Sequence, residues 1–386
     1  MSKEKLVPKL RFEEFKQSET WKVIRLGENA TFINGRAYSQ EELLDNGKYK
    51  VLRVGNFYTN DSWYYSNFEL NNKYYAEYGD LLYTWSASFG PHIWKGEKVI
   101  YHYHIWKIEL NKKLDKIFLL QLLEEDKKQI LTNVTGSTMV HITKSGMEEK
   151  NVIIPENIYE QQKIGIFFKK IDEMIQLQQS KVNKVKNIKS AYLSEIFPKE
   201  GEKYPKKRFE GFTEPWTAKK LGSLLDYEQP TNYLVKSDSY DDSYLTPVLT
   251  AGKSFLLGYT NETEGIYKAD NNNGVIIFDD FTTSSHFVDF DFKVKSSAMK
   301  FLRTNQSNFN LYFLYNLLTS INYSPESHER HWISIFSEFE VLVPTKKEQE
   351  KIAQLFKNLD NQISIEEKKL AKLENLKQGY LNDMFV

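Results

Sequence analysis

The segment "VIIPENIYEQQKIGIFFKKIDEMI" at residues 152–175 is written a second time as "VLVPTKKEQEKIAQLFKNLDNQI" at residues 341–363. From Glu160 against Glu348 the register runs without a gap. It pairs Gln161/Gln349, Lys163/Lys351, Ile164/Ile352, Phe168/Phe356, Asp172/Asp360, Ile175/Ile363, Tyr192/Tyr380, Leu193/Leu381 and Phe197/Phe385. A shorter phrase recurs as well: "PKLRFEEF" at 8–15 and "PKKRFEGF" at 205–212, followed by Trp21 and "RLGE" or by Trp216 and "KLGS". Chance does not produce so many matches in one order. The chain is an internal duplication, so its fold is one plan executed twice.

Each long copy reads as a helix. Val-x-x-Pro precedes a capping box, Asn157-x-x-Glu160 in the first copy and Thr345-x-x-Glu348 in the second. In such a box the short side chain accepts a free N–H of the first turn and the Glu is expected to reach back. An alternating 3-4 stripe follows: Ile164, Phe168, Ile171, Ile175, Gln178, Val182, Val185, Lys189 and Tyr192. Its twin is Ile352, Phe356, Leu359, Ile363, Glu366, Leu370, Leu373, Lys377 and Tyr380, with polar residues at the same two steps. Spacing of about 3.5 residues sustained over about four heptads predicts a coiled-coil seam. Glu160–Phe197 would extend about 57 Å at 1.5 Å per residue. With one such helix per half, the partner of each is the other, in the same molecule.

Between these frames the two halves differ. Residues 21–156 carry Tyr-, Trp- and Val-rich runs broken by Gly and Asn, such as "GDLLYTWSASFGPHIW"; residues 216–347 carry "NNGVIIFDDFTTSSHFVDFDFKV" and "SAMKFL". Both read as mainly strands, each followed by one helical stretch, "KIFLLQLLEEDKKQIL" or "NLYFLYNLLTSI". The order of elements recurs while side chains barely match. With apolar residues at 40% and aromatics at 15%, the composition is that of a folded, strand-rich chain.

Charge and chemistry narrow the function. The 52 basic and 52 acidic residues cancel, so the chain lacks the overall basic excess common in non-specific nucleic-acid binders. With no Cys, neither disulfides nor Cys-ligated metal hold the fold, and a reducing cytoplasm is the expected setting. The N-terminus has no apolar leader segment, and no run approaches the roughly 18 apolar residues of a membrane span. "AGKS" at 251–254 ends like a phosphate loop, but Pro247 stands where the first Gly is needed. "HERH" at 328–331 spaces its histidines one residue too close for a zinc protease. No catalytic constellation is legible.

The doubled frame resembles the specificity subunit of type I restriction–modification systems. The resembling residues are "PKLRFEEF…W…RLGE", "GDLLYTWSASFG", "TGSTMVHIT" and "VIIPENIYEQQKI", with "PKKRFEGF…W…KLGS", "YLTPVLTAGKSF", "HERHWISIF" and "VLVPTKKEQEKI" in the second half. The resemblance implies an α+β protein: two mixed α/β target-recognition domains joined by two long helices in an antiparallel intramolecular coiled coil. Its boundaries would be 1–156 and 205–343 for the recognition domains, and 157–204 and 344–386 for the helical spacers. Each domain would read one half of an asymmetric, bipartite double-stranded DNA target. The helices would set the gap and dock two methyltransferase subunits, with restriction/translocase subunits outside. The chain itself would catalyse nothing and bind no cofactor, S-adenosylmethionine, ATP and Mg belonging to the partners. A bivalent protein-binding scaffold without a DNA role is the alternative.

Base readers must be polar, exposed and on the inserts. The candidates in the first insert are Arg36, Arg53, Ser86, Ser88, Ser137, Thr138 and His141. Those in the second are Lys253, Thr282, Thr283, Ser284, Ser285, His286, His328, Arg330 and His331. Trp85, Trp106 and Trp332 read as core. The run Lys181, Lys184, Lys186 and Lys189 reads first as a solvated helix face or partner surface, and only second as a phosphate contact.

Overall fold

The computed structural model describes residues 6–58, 60–86, 88–133, 142–199, 201–202, 204–252, 254–270, 273–304, 306–323 and 331–386. In the first half, strands β1 (Lys22–Arg25), β2 (Ala30–Asn34), β3 (Tyr49–Leu52), β4 (Tyr64–Ser66), β5 (Tyr75–Ala76), β6 (Leu81–Thr84), β7 (Gly90–Ile93), β8 (Val99–Tyr101) and β9 (Ile105–Leu110) precede helices α1 (Lys116–Asn133) and α2 (Lys144–Glu149). Strand β10 (Asn151–Ile154) leads into the first long helix, α3 (Ile158–Ile196). The second half runs β11 (Thr217–Lys220), α4 (Leu221–Leu224), β12 (Asp226–Glu228), β13 (Thr246–Leu249), β14 (Leu256–Thr260), β15 (Val275–Asp279), β16 (Ser285–Val288), β17 (Lys293–Val294) and β18 (Met299–Arg303). Helices α5 (Leu311–Ser320) and α6 (His331–Ser334), strand β19 (Glu340–Val343) and the second long helix α7 (Lys346–Met384) complete it.

The chain divides into two compact units, Met1–Gln178 with Lys369–Val386, and Gln179–Lys368. The division cuts each long helix. The first unit therefore holds the start of α3 and the end of α7, and the second holds the start of α7 and the end of α3.

In the first unit a four-stranded sheet, ordered β2-β9-β6-β7, lies between a helical layer and a smaller sheet ordered β4-β3-β8-β5. Alternation along β6 explains the layering, since successive side chains leave opposite faces. Leu81 and Tyr83 enter the helix-side core, while Leu82 joins Leu52, Val99 and Ile105 on the other face. The helix-side core is shared with the long helices: Ile164, Phe168 and Ile171 of α3 and Leu381 and Met384 of α7 are buried in it. Ile175 and Tyr380 pack at its margin, and Leu370 and Leu373 are half-buried. Phe385 closes the core, its ring 5.5 Å from Phe118, 5.7 Å from Phe168 and 6.3 Å from Trp21. Phe168 meets Phe385 and Asp172 meets Lys377, so the two helix segments run antiparallel.

The second unit repeats the plan. Its four-stranded sheet is ordered β12-β18-β15-β16, and its smaller sheet β14-β13-β17. In both units the first two strands of the smaller sheet, β3 and β4 or β13 and β14, form an antiparallel pair, and the later β8 or β17 joins β3 or β13 in parallel. Ile352, Phe356 and Leu359 of α7 and Val185 and Ile196 of α3 share its helix-side core, with Tyr192 and Ile363 alongside, and Val182 is also buried. Here Phe197 closes the core, 5.6 Å from Phe313 and 5.9 Å from Phe356. Lys186 pairs with Glu367 and Lys189 with Asp360, which again fixes an antiparallel run. Each helix thus packs its C-terminal "YLSEIF" or "YLNDMF" motif on the insert domain of the other half. Burial of one such phenylalanine is worth roughly 1.5–3 kcal/mol.

The repeated opening phrase has a structural purpose. Arg11 makes a bidentate pair with Glu160, Nε to Oε1 at 2.6 Å and Nη2 to Oε2 at 2.7 Å, and Arg208 does the same to Glu348 at 2.7 and 2.8 Å. The glutamate expected to turn back onto its own helix cap is instead held by an arginine far away in sequence. The carboxylate is fully buried, and a bidentate guanidinium compensates its lost hydration better than one backbone N–H can. The next residue is equally matched. Gln161 accepts from the Asp115 N–H and donates to the Lys113 carbonyl, and Gln349 accepts from the Asn310 N–H and donates to the Asn308 carbonyl. Both glutamines thereby pin the start of α1 or α5.

Gly165 lies inside α3 where α1 comes closest. A Cβ there would stand 2.7 Å from the Phe118 backbone nitrogen. Ala353 holds the matching place on α7 and is buried, so only small side chains fill this position.

Candidate nucleic-acid interface

In each unit two loops meet at the edge of the sandwich: the loop leaving the first strand of the smaller sheet, and the hairpin tip of the four-stranded sheet. In the first unit these are the β3–β4 loop and the β6–β7 tip. Asn56 shapes the first, accepting from the Arg53 N–H at 3.0 Å and donating to the carbonyls of Asn60 and Ser62. The Tyr58 hydroxyl donates to the Ser88 carbonyl at 3.3 Å, tying loop to hairpin. The Arg53 guanidinium lies 4.2 Å from the centre of the Tyr64 ring, and its Nε is buried without a hydrogen-bond partner. Ser86 is half-buried on the hairpin and Ser88 is exposed.

In the second unit the β13–β14 loop meets the β15–β16 tip. The Ser284 hydroxyl donates to the Ala251 carbonyl at 2.9 Å. Asp279 shapes the tip, accepting from the N–H groups of Phe281 and Thr282 at 2.8 and 3.2 Å. Thr283 has φ of 59°, the only positive value at a non-glycine among the described residues. Such a conformation is held at a cost by its surroundings. Thr282 and Ser284 bond to each other at the apex, and Ser285 and His286 begin β16.

The structure thus brings Arg53, Ser86 and Ser88 together in one unit, and Thr282, Thr283, Ser284, Ser285 and His286 together at the corresponding place in the other. Arg36 bridges by its backbone to His102, just past β8. It is engaged by both carboxylate oxygens of Glu42, at 2.5 and 3.2 Å, and lies over Tyr38 and Phe68. Ser137, Thr138, His141, Lys253, His328 and Arg330 lie outside the described residues.

His331 requires a correction. It is fully buried, with Nδ1 2.7 Å from the Asp280 carbonyl, while Asp280 itself pairs with buried Lys300 at 3.1 Å. An imidazole with no exposed surface cannot reach a base edge; here it anchors the segment behind the hairpin. Trp106 and Trp332 are buried, and Trp85 is half-buried and stacked on Trp106 at 5.9 Å. Of the lysine run, Lys186 and Lys189 are taken by ion pairs to α7, and Lys181 and Lys184 are exposed.

Reading by residue type missed His92. It is half-buried on β7, beside the Tyr58 hydroxyl and Thr84. Burial, aided by Lys127, pushes its pKa down to about 4, and burial with His104 and Arg53 does the same for His102. His286 is also lowered by burial. These imidazoles are therefore neutral near pH 7 and offer one donor and one acceptor each. Only strand register reveals His92 as the counterpart of His286; nothing in the sequence aligns them.

Among the described residues no group of three or more His, Asp or Glu side chains could hold a metal ion, and no helix is long and apolar enough to cross a membrane.

Comparison with known proteins places these features. A family model described as the type I restriction modification DNA specificity domain matches residues 18–187 and again residues 213–375. The type I restriction enzyme EcoR124I/EcoR124II specificity subunit of Escherichia coli is 48% identical over 152 residues, 38% of this chain and 37% of that protein. The type I restriction enzyme MjaVIII specificity subunit of Methanocaldococcus jannaschii is 24% identical over 217 residues, 54% of this chain and 50% of that protein. The matches thus span half or less of the length of these curated relatives. Among solved structures, the type I restriction–modification S subunit from M. genitalium superposes with a TM-score of 0.67 at 15% identity, covering 98% of this chain and 99% of that one. At that identity the likeness establishes the fold.

Proposed function

The chain belongs to the type I restriction–modification DNA specificity family, and we propose that each of its two insert domains reads one half of a split, asymmetric DNA target. The observation that carries this reading is the pair of loop clusters. The same two loops meet at the same edge of the same sandwich in each unit, yet they present unlike side chains. Like frames with unlike tips suit two different half-sites, as the two heads of a dimeric reader suit two like ones. Arg53, stacked on Tyr64, has the donor geometry for a guanine edge, and the hydroxyls of Ser88, Thr282 and Thr283 suit phosphate or base. The paired helices fix the gap between half-sites.

The chain acts in the cytoplasm as the address-bearing, non-catalytic member of a DNA-modifying defence complex. Two methyltransferase subunits dock on the helical frame, and restriction/translocase subunits join outside. S-adenosylmethionine, ATP and Mg serve those partners, and this chain holds none of them. The balanced charge of the chain is no obstacle, because specificity comes from a few placed groups and the partners supply further phosphate contacts.

The test is methylation mapping across a genome with and without this chain, its methyltransferase partner being present in both. A split motif methylated only when the chain is present supports the reading. Methylation that is unchanged by the chain, together with no motif recovered from a random duplex pool, favours the bivalent scaffold instead.

A further inference from the structure

The two four-stranded sheets agree in register at a point where their sequences do not. On β6 and β7 Leu82 stands opposite His92; on β15 and β16 Ile277 stands opposite His286. Leu82 and Ile277 both face the smaller sheet of their own unit. The histidines therefore occupy the same row and the same face of the edge strand. Each imidazole lies flat on a phenylalanine from the adjoining loop: His92 on Phe57 at 4.1 Å and 17°, His286 on Phe255 at 4.1 Å and 20°. Phe57 follows β3 and Phe255 follows β13, so the partners correspond as well.

The surroundings do not correspond. The loop is tied to the hairpin by the Tyr58 hydroxyl on Ser88 in one unit, and by the Ser284 hydroxyl on Ala251 in the other. His92 has Thr84 Oγ1 at 3.3 Å, whereas His286 lies near Asp279. Both stacks have the same 4.1 Å centroid separation, while the bonds that tie loop to hairpin beside them differ. Loop residues that carry specificity need a rigid support with locked rotamers, and a flat stack between edge strand and loop supplies one.

We propose that His92 and His286 are matched positioning residues, each fixing the base-reading loop of its own domain and so setting discrimination at one half-site only. This rests on the functional reading above. Burial lowers the pKa of both rings, His92 to about 4, which favours the uncharged imidazole near neutral pH.

The test uses the full chain with its methyltransferase partner and a duplex pool randomised over both half-sites. His92→Ala is expected to lower discrimination against mismatches about tenfold in one half-site and to leave the other unchanged; His286→Ala should do the reverse. His92→Phe and His286→Phe keep a flat ring on the loop and should hold discrimination within about twofold, and they serve where an alanine variant fails to fold. Three results would overturn the inference while the unaltered complex still selects a split motif. These are a uniform loss of affinity with unchanged base preference, a change in both halves from one variant, or a Phe variant as relaxed as the Ala variant. An unaltered complex that selects no split motif overturns the functional reading and this inference together.

Discussion

The ammonium of Lys189 lies 2.6 Å from the carboxylate of Asp360, joining the end of one long helix to the beginning of the other. The Tyr312 hydroxyl reaches the same carboxylate at 2.6 Å, so the pair also fastens α5 to the coil. In the other unit Lys377 meets Asp172 at 2.6 Å, and Gln121 takes the place of the tyrosine at 2.9 Å. The second polar step of each hydrophobic stripe, Lys189 or Lys377, is the mate of the opposite helix's aspartate.

Breaking that pair should loosen the coil. Lys189→Ala leaves a half-buried carboxylate with one donor, and the expected loss is about 1–3 kcal/mol in urea unfolding. Exchanging the charges, Lys189→Asp with Asp360→Lys, should recover part of it. A double variant no better than either single one would show that the two side chains do not interact.

The Arg11–Glu160 pair is more deeply buried, with side chains 6% and 0% exposed. Arg11→Ala strands a fully buried carboxylate, and the expected cost is about 3–5 kcal/mol. Replacing both partners by Met and Leu removes the stranded charge and should cost markedly less. Thermal or urea midpoints of the single and double variants decide the matter.

If the helices are the ruler, their length sets the gap. Seven residues inserted in register after Lys184 and again after Lys372 preserve both stripes and add about 10 Å. That is near 3 bp of duplex at roughly 3.4 Å per step. The spacer in the methylated motif should lengthen accordingly while both half-sites stay the same. A spacer of unchanged length would assign the gap to something other than the helices.

Stability should fall on mild acidification. His92 and His102 are held near pKa 4 by burial, below the ordinary value of about 6.5. Below pH 6.5 the unfolded chain therefore binds protons that the folded one refuses. Stability conferred by the neutral rings is complete above pH 6.5 and drains away as the pH falls toward 4, by at most about 3 kcal/mol for His92 and by less for the more exposed His102, which solvent screens. Urea midpoints between pH 7 and pH 4.5 should show this slope. His92→Phe with His102→Phe should flatten it.

Local pattern carried much of this protein in its sequence. The duplication, the two long helices, their stripes and the strand-rich inserts were legible because periodicity and cap chemistry act over a few residues. Long-range chemistry was not. Glu160 and Glu348 looked like cap residues, yet buried arginines from the repeated phrase claim them. His331 looked like a base reader, and packing behind the hairpin buries it. The inserts looked unrelated because side chains on a sandwich can change while strand order and register persist. So the chain by itself determined that one plan is built twice around helices of equal length. Only the tertiary structure decided which distant arginines claim the cap glutamates and which loop residues, His92 among them, occupy equivalent places. Those choices depend on contacts between segments far apart in the chain, whose partners no local spacing encodes.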